Sequence, residues 1–209
     1  MQALIRLLHF DSGKLTYTVF KSPHPPYAIL SHVWITPSED EFLFSDLAAG
    51  TGHTKPGYRK ILFCGEQVKR DNLKYFWVDT CCNDKYNRRE LENSINSMFR
   101  WYRNAARCYT LLADVSAGME DWEAALKAGW WFKHGWTLQE LIAPLLVEFF
   151  SKEGQLLGDK QTLESLIHDV TRSQFQSFEV ISWMISAWKS GWHGCKAEKQ
   201  RNRKTLPTR

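Results

Sequence analysis

The feature that most constrains the fold of this chain is the run YFWVDTCCNDK at residues 75–85. Its first four residues are aromatic or β-branched, which is typical of a strand buried on both faces. Asp79, Cys82 and Asp84 follow at once, so carboxylate and thiol groups crowd the carboxyl end of that strand. Ligands of open α/β sheets bind at the carboxyl ends of the strands. The run therefore predicts an α/β domain with a site at this edge of its sheet.

The length and composition limit the class of protein. With 209 residues, 44% of them hydrophobic, the chain can bury one core. Its apolar runs are far shorter than a membrane span, and the N-terminal MQALIRLLHF meets Asp11 without a signal-peptide cleavage site. Five cysteines without a framework spacing indicate reduced thiols in a cytosolic or nuclear protein. We therefore expect a cytoplasmic protein without a membrane span.

The positive charge is concentrated at the C-terminus. The net charge is +4, but residues 189–209 hold seven Lys/Arg and one acid, a local +6 that leaves −2 for residues 1–188. The core therefore lacks the basic field that attracts nucleic acid. We expect residues 172–209 to be a basic, disordered tail, with a nuclear-targeting or nucleic-acid-binding patch as the alternative.

The order of the predicted elements indicates the architecture. Residues 1–26 form an N-terminal segment with a short hairpin, and a polar loop with a short helix near residues 45–49 follows the first strand. Strands alternate with helices beyond it, which favours a single α/β domain over residues 27–171, with a mostly parallel, flavodoxin-like sheet flanked by helices and a long insertion after the first strand. The predicted strands are 27–34, 75–79, 107–115 and 147–151, and the predicted helices are 88–104, 120–127, 137–143 and 162–170.

The helix at 88–104 has the clearest sequence pattern. Asn87 and Glu90 have the spacing of a capping box at its start. One helical face then collects apolar side chains, which we expect to pack against the sheet. These residues are Leu91, Ile95, Met98, Phe99, Tyr102 and Ala106.

Several chemistries find little support in the sequence. There is no Cys-x-x-Cys or His-x₃-His pair, and adjacent Cys81 and Cys82 would point to opposite faces of a strand, so a zinc site is not expected. There is no G-x-S-x-G elbow and no Gly-rich phosphate loop. A thiol hydrolase in which His32 activates Cys82 is a minor alternative, since both would lie at strand carboxyl ends.

The segment Trp136-Thr137-Leu138-Gln139-Glu140-Leu141 has two compatible interpretations. Thr137 and Glu140 have the spacing of a second capping box. Alternatively, Glu140 is a carboxylate beside the Trp136 ring at a helix N-terminus, where the helix dipole favours its ionised form. A carboxylate beside a stacking surface suits the oxocarbenium-like transition state of glycosidic bond cleavage.

Several blocks of the chain together resemble the fungal heterokaryon incompatibility (HET) domain. They are YAILSHVW (27–34), GYRKI (57–61), residues 75–85, residues 90–115, WFKHGWTLQELIAPLLVEFFS (131–151) and GDKQTLESLIHDVT (158–171). The resemblance implies non-self recognition in filamentous fungi and regulated cell death. HET domains also resemble the Toll/interleukin-receptor (TIR) fold, and the segment WTLQEL is similar to the TIR segment whose Glu cleaves NAD. That similarity implies Glu140 as the catalytic residue and Trp136 as the flanking ring.

The resemblance and the residue pattern together define the expected site. Glu140 would be catalytic, NAD would be the substrate rather than a cofactor, and no metal would be required. Trp136, Ser31, His32, Asp79, Cys82 and Asp84 would line the substrate site. The alternative is a non-enzymatic module that self-associates or binds another incompatibility protein. Fold kinship alone does not decide whether the chain is an enzyme.

Overall fold

A computed structural model of the chain describes residues 4–134 and 136–174 and shows one seven-stranded sheet with helices on both faces. The strand order is β2-β1-β4-β3-β5-β6-β7. The strands are β1 (Ile5–Asp11), β2 (Lys14–Phe20), β3 (Tyr27–His32), β4 (Tyr75–Trp77), β5 (Arg107–Leu111), β6 (Val147–Phe150) and β7 (Leu156–Asp159). The helices are α1 (Phe44–Ala49), α2 (Tyr58–Arg70), α3 (Asp79–Cys82), α4 (Arg88–Asn104), α5 (Trp122–Ala128), α6 (Thr137–Ile142) and α7 (Glu164–Gln174), with 3₁₀ turns at Ser38–Asp40 and Trp131–Lys133.

The four central strands are parallel, which confirms the predicted fold class. β3 pairs in parallel with β4 and β5, and β5 pairs in parallel with β6. Their spatial order, β4-β3-β5-β6, is the flavodoxin-like order in which the first strand lies between the second and the third. Successive strands are therefore added on one side of β3 first and on its other side afterwards, so the order of strands reverses between β3 and β5. The carboxyl ends of these two parallel strands mark the place where such folds bind ligands.

Antiparallel strands close both edges of the sheet. The N-terminal hairpin is longer than expected, because β1 and β2 pair over seven residues around Ser12 and Gly13, both of positive φ, and β1 then pairs with β4. The Arg6 guanidinium of β1 donates 2.6 Å to the Cys82 carbonyl at the end of α3 and 2.8 Å to the Glu90 carboxylate of α4. These bonds fix the hairpin to the segment that follows β4. At the other edge, β7 pairs with β6.

The two faces of β3 pack against different helices. Tyr27 donates a hydrogen bond to the Trp101 carbonyl of α4, and Ser31 points to the same side. His32 faces the α2 side, where the Lys60 ammonium donates to the carbonyl of Val33. Adjacent strand residues alternate in direction. As a result Ser31 and His32 flank the end of β3 from opposite faces.

Two local predictions were wrong. Helix α2 was not expected, and Gly65 in its interior weakens the helical signal. This glycine is required by packing, because a Cβ at Gly65 would lie 2.4 Å from the Phe10 ring. The strand at 75–79 ends at Trp77, so Cys81 and Cys82 are buried on the single helical turn of α3 rather than on a strand.

The capping box at Asn87 is confirmed only at its first bond. The Asn87 side chain accepts from the Glu90 backbone N–H at 3.2 Å. The Glu90 carboxylate instead accepts from Arg6 and from the Asp84 backbone N–H. A long-range ion pair has thus replaced the reciprocal cap.

The predicted phase of α4 was wrong in part: Tyr102 is buried and Met98 packs against the core, as predicted, but two other large residues of the predicted face are exposed. Ile95 and Phe99 are each 42% exposed, whereas Ser94, Ser97, Trp101 and Tyr102 are buried. The serines are small, so they allow the helix to approach the sheet, and the two large rings supply the apolar contact by packing on Trp77. The apolar side chains therefore indicated a helix face rotated by about one residue from the face that is buried.

We predict that the same substitution at adjacent positions of α4 will have opposite outcomes. Ser94→Asp places a carboxylate at a site that is 4% exposed and should cost at least about 2 kcal/mol of unfolding free energy. Ile95→Asp should stay within about 0.5 kcal/mol of the parent because its side chain meets water. Urea unfolding of both variants measures the difference. Similar losses in the two variants would contradict the observed helix phase.

Among residues 4–134 and 136–174, no helix is both long and apolar enough to cross a membrane. Helix α7 extends to Gln174, three residues beyond the predicted end of the domain. The prediction for the rest of the basic tail, residues 175–209, lies outside the described residues.

Candidate functional site

A buried hydrogen-bond chain lies where the fold places its ligand site. The Trp131 indole Nε1–H donates 2.8 Å to Ser31 Oγ, and the Ser31 hydroxyl donates in turn to Glu140 Oε2. Ser31 is the penultimate residue of β3, and Glu140 lies on α6, 109 residues further along the chain. The Tyr102 hydroxyl, which donates 3.3 Å to the Leu30 carbonyl, also interacts with the Glu140 carboxyl group. The chain thus fixes one carboxyl group beside the carboxyl end of β3.

Burial makes Glu140 a weak acid. The residue is 8% exposed, and desolvation, together with the nearby negative charge of Asp79, raises its pKa to about 8. The hydrogen bonds from Ser31 and Tyr102 act in the opposite direction but do not offset the burial. At neutral pH the Glu140 carboxyl group is therefore mostly protonated, contrary to the expectation that the helix dipole would keep it ionised.

The predicted capping box of α6 is not formed. Helix α6 begins at Thr137, so Thr137 is its first helical residue, and its hydroxyl donates 2.5 Å to the His134 carbonyl. The Glu140 carboxyl group bonds to Ser31 instead of the helix start. Glu140 therefore makes a tertiary contact with β3 instead of capping its own helix.

The C-terminal end of α6 is held by a buried lysine. The Lys160 ammonium donates 3.0 Å to the Leu141 carbonyl and 3.2 Å to the Pro144 carbonyl. Burial lowers the Lys160 pKa to about 8. These two bonds satisfy carbonyls that a helix end leaves without partners, and they fix the short helix that carries Glu140.

A second cluster of ionisable groups surrounds His32 on the other face of β3. His32 Nε2 lies 3.8 Å from Asp79 Oδ1 and 4.0 Å from Glu41 Oε1. Burial and the charges of Lys60 and Lys85 lower the His32 pKa well below its usual range, so the imidazole is neutral. A neutral imidazole offers one donor and one acceptor.

A buried ion pair forms the floor of this cluster. Glu41 Oε1 accepts from the Lys60 ammonium and, at 2.7 Å, from the Ile35 backbone N–H. Lys60 also donates 2.8 Å to the Val33 carbonyl. Gly57 lets the loop pack this closely, because a Cβ there would lie 2.6 Å from the Phe42 nitrogen and 2.7 Å from Glu41 Oε2. We call the Glu41–Lys60 pair the loop clamp, since it holds residues 33–41 against α2.

Trp34 and Lys85 cover the outer side of the cluster. The Trp34 indole N–H donates 2.6 Å to Asp79 Oδ2, and Lys85 Nζ lies 3.0 Å from the centre of the same indole ring. Trp34 and the Asp79 side chain are both partly exposed. The cluster therefore opens to solvent beside Asp79.

Asp79 connects the two halves of the site. Its own pKa is raised to about 6, mainly by burial, while Lys85 and the Trp34 hydrogen bond oppose the shift. Its charge in turn raises the pKa of Glu140. The charge of Asp79 therefore reaches across the end of β3 to the carboxyl group of Glu140.

Three of the predicted site residues lie outside these clusters. Trp136 is 56% exposed at the start of α6, and it is Trp131 that donates to the Ser31–Glu140 chain. Cys82 is buried, and its sulfur accepts from the Val78 backbone N–H at 3.2 Å. Asp84 Oδ1 accepts from the Tyr86 backbone N–H at 3.0 Å and stabilises a turn.

The thiol-hydrolase alternative finds no support in this geometry. Within the described part of the chain, neither ring nitrogen of His32 has a hydrogen-bond partner, so His32 does not contact the Cys82 thiol in that way. The same described residues contain no group of three or more His, Cys, Asp or Glu arranged to hold a metal ion.

Sequence reasoning placed Ser31, His32, Asp79 and Glu140 in one site and missed the other members. Trp34 is the second residue after β3, and Tyr102 lies on the helix before β5, so a search of strand ends and helix faces could have found both. Glu41 and Lys60 gave no such signal, because their pairing depends on how the loop after β3 folds back. Trp131 was also missed, because its indole N–H was not considered as a hydrogen-bond donor to the site.

Comparisons with known proteins identify the family of the chain. The family "Heterokaryon incompatibility protein (HET)" matches residues 27–121, a range that includes Ser31, His32 and Asp79 but not Trp131, Trp136, Glu140 or Lys160. The chain is 56% identical over 153 residues to the vegetative incompatibility protein HET-E-1 of Podospora anserina. This alignment covers 70% of the chain but only 11% of that protein. No solved structure matches the chain significantly. The chain therefore belongs to the fungal heterokaryon incompatibility (HET) domain proteins.

Proposed function

We propose that this HET domain acts in heterokaryon incompatibility by hydrolysing the bond between nicotinamide and ribose in NAD. The observation that supports it best is the buried Glu140 carboxyl group, with its pKa raised to about 8, at the switch point of the sheet. Carboxyl groups whose pKa is strongly raised by burial are concentrated at functional sites, where a proton must be held or released. Regulated cell death and a cytoplasmic location are part of the same proposal.

The properties of Glu140 suit a cationic substrate. The nicotinamide ring of NAD is positively charged, and its approach would favour the ionised carboxylate and displace the proton. As the C–N bond breaks, its electron pair goes to the nicotinamide nitrogen and positive charge develops on the ribose. The Glu140 carboxylate, fixed by Ser31 and Tyr102, would stabilise that charge. Water then adds to the sugar carbon and transfers a proton to Glu140, giving ADP-ribose and returning the site to its protonated resting form.

The pH dependence of NAD cleavage tests this proposal. Glu140 ionises with a pKa of about 8, so about a tenth of the free protein holds the active carboxylate at pH 7. We expect kcat/KM to rise with pH and to level off above about pH 8, since this quantity reports the free enzyme. The measurement is nicotinamide release by concentrated purified protein, with the enzyme-free rate subtracted at each pH. Release no faster than the enzyme-free rate throughout that range would contradict the proposal.

A non-enzymatic interaction module is the second candidate function. The exposed Ile95 and Phe99 on α4 favour it, because two large apolar side chains one helical turn apart suit self-association or contact with another incompatibility protein. Ile95→Asp, which the fold should tolerate, separates the candidates. An interaction module would lose self-association in sedimentation and would lose cell killing, whereas an enzyme that acts as a monomer would keep both NAD cleavage and killing.

A further inference from the structure

Four buried polar atoms beside Trp34 have no hydrogen-bond partner among the described residues. They are His32 Nδ1, His32 Nε2, Asp79 Oδ1 and Lys85 Nζ. Buried polar atoms are almost always paired in folded proteins, because an unpaired one costs the free energy of its lost hydration. His32 Nε2 lies 3.8 Å from Asp79 Oδ1, and Asp79 and Lys85 both contact the Trp34 ring. Unpaired atoms on three such neighbouring side chains indicate a place where a polar ligand group completes the hydrogen bonds.

Asp79 and Lys85 contact the same indole ring, and His32 lies beside Asp79. Trp34 fixes Asp79 through a 2.6 Å hydrogen bond to Oδ2, which leaves Oδ1 free and 3.8 Å from His32 Nε2. Lys85 Nζ lies over the face of the same ring. The loop clamp holds the loop that carries Trp34, so the three groups are positioned before any ligand arrives.

The charges of the cluster favour a neutral polar ligand group. Glu41 and Asp79 face Lys60 and Lys85, so the acids and bases balance, and His32 is neutral. A phosphate group would meet two carboxylates, and a cationic group would meet two ammonium groups. The unpaired atoms comprise a carboxylate acceptor, an ammonium donor, and one donor and one acceptor on the imidazole. Two adjacent hydroxyl groups match this set, because each hydroxyl both donates and accepts.

We propose that His32, Asp79 and Lys85 form a subsite for the vicinal diol of a pentose. This inference rests on the proposed substrate class: in an N-ribosyl compound the diol lies on the two carbons next to the scissile carbon. Ser31 contacts Glu140 on one face of β3 and His32 contacts Asp79 on the other. A sugar lying across the end of this strand would present its scissile carbon to Glu140 and its hydroxyls to Asp79. The subsite would select ribosyl over deoxyribosyl compounds.

The test is binding of ADP-ribose, which keeps the diol and has no bond for the protein to cleave. Asp79→Asn should weaken ADP-ribose binding in calorimetry at least about tenfold. The Asn oxygen can still accept from Trp34, and its amide nitrogen then places a donor where Oδ1 accepted. Binding of ADP, which lacks the terminal ribose, should change less than about twofold in the same variant. Glu92→Gln, the same chemical change at an exposed position of α4, is the matched control.

A second variant covers the case in which Asp79→Asn disturbs the fold. Lys85→Met keeps an unbranched chain beside Trp34 and removes only the ammonium donor, so it should also weaken ADP-ribose binding. Unchanged ADP-ribose affinity in both folded variants, or absence of ADP-ribose binding to the parent protein, would overturn the subsite. Binding that depends on Asp79 without any NAD cleavage would support the subsite and reject the proposed activity. NAD cleavage by the parent protein, with unchanged ADP-ribose affinity in both variants, would support the proposed activity and reject the subsite.

Discussion

Replacing Glu140 by Gln is expected to lower the rate of NAD cleavage by about a hundredfold or more, and to raise the stability of the protein at neutral pH. The loss of rate follows because the amide carries no charge to stabilise the developing cation. The Gln side-chain oxygen can still accept the Ser31 hydroxyl, so the Trp131–Ser31 chain should remain intact. Nicotinamide release and cell killing on overexpression measure the functional effect.

The gain in stability follows from the pKa of Glu140. Its pKa rises from 4.5 to about 8 on folding, so the folded protein holds a proton that the unfolded chain releases. Below about pH 4.5 both states are protonated and the substitution should have little effect. As the pH rises toward about 8, ionisation increasingly favours the unfolded chain, and Gln removes this disadvantage. The gain should reach a few kcal/mol in order of magnitude above about pH 8.

Urea unfolding of the parent and of Glu140→Gln at about pH 4.5 and about pH 8 tests the stability effect. Glu92→Gln, at an exposed position, should change neither value. If Glu140→Gln shifted stability equally at both pH values, the pKa assigned to Glu140 would be wrong. A folded variant that cleaved NAD and killed cells as well as the parent would leave Glu140 without a catalytic role and favour the interaction module.

The second large effect is expected at the loop clamp. Glu41→Ala should cost about 3 to 5 kcal/mol of unfolding free energy, because it leaves the buried Lys60 charge uncompensated and the Ile35 N–H without an acceptor. Both side chains of the pair are almost fully buried. Burial already lowers the pKa of Lys60, so the lone ammonium would also lose its proton more readily.

The double variant Glu41→Leu/Lys60→Met distinguishes charge from packing. It removes both ions and should be more stable than Glu41→Ala, because no unpaired charge remains. The exposed pair Arg88–Glu92 is the natural control, and Glu92→Ala should cost less than about 1 kcal/mol. A Glu41→Ala variant as stable as Glu92→Ala would contradict the clamp.

The central strands were predictable, whereas several elements defined by tertiary contacts were not. β3, β5 and β6 are short hydrophobic runs buried on both faces, and their alternation with helices indicated the parallel sheet. β7 was missed because LLGD is four residues long and contains Gly158, which weakens a strand pattern. The α4 phase failed because Ser94 and Ser97 are buried for their small size, which apolar periodicity does not detect.

In the site, too, strand ends were predictable from the sequence, whereas features that depend on tertiary contacts were not. Ser31, His32 and Asp79 were found because strand register brings the carboxyl ends of β3 and β4 together. Glu140 was found through resemblance, but its protonation state was predicted wrongly. The local pattern suggested a helix cap, and only the contact with Ser31, made within the folded core, shows a buried acid. Local sequence rules describe neighbours along the chain, and a pKa depends on neighbours in space.

The bond from Arg6 to the carbonyl of Cys82 has a genetic consequence. α3 is a single turn that begins with Asp79 and ends with Cys82, so the N-terminal hairpin holds the far end of the turn that carries an ionisable site residue. A screen for loss-of-function alleles should therefore recover substitutions at Arg6, a residue outside the cluster itself. Such alleles would be hypomorphic rather than null, since they would loosen the position of Asp79 while leaving every reacting group in the protein.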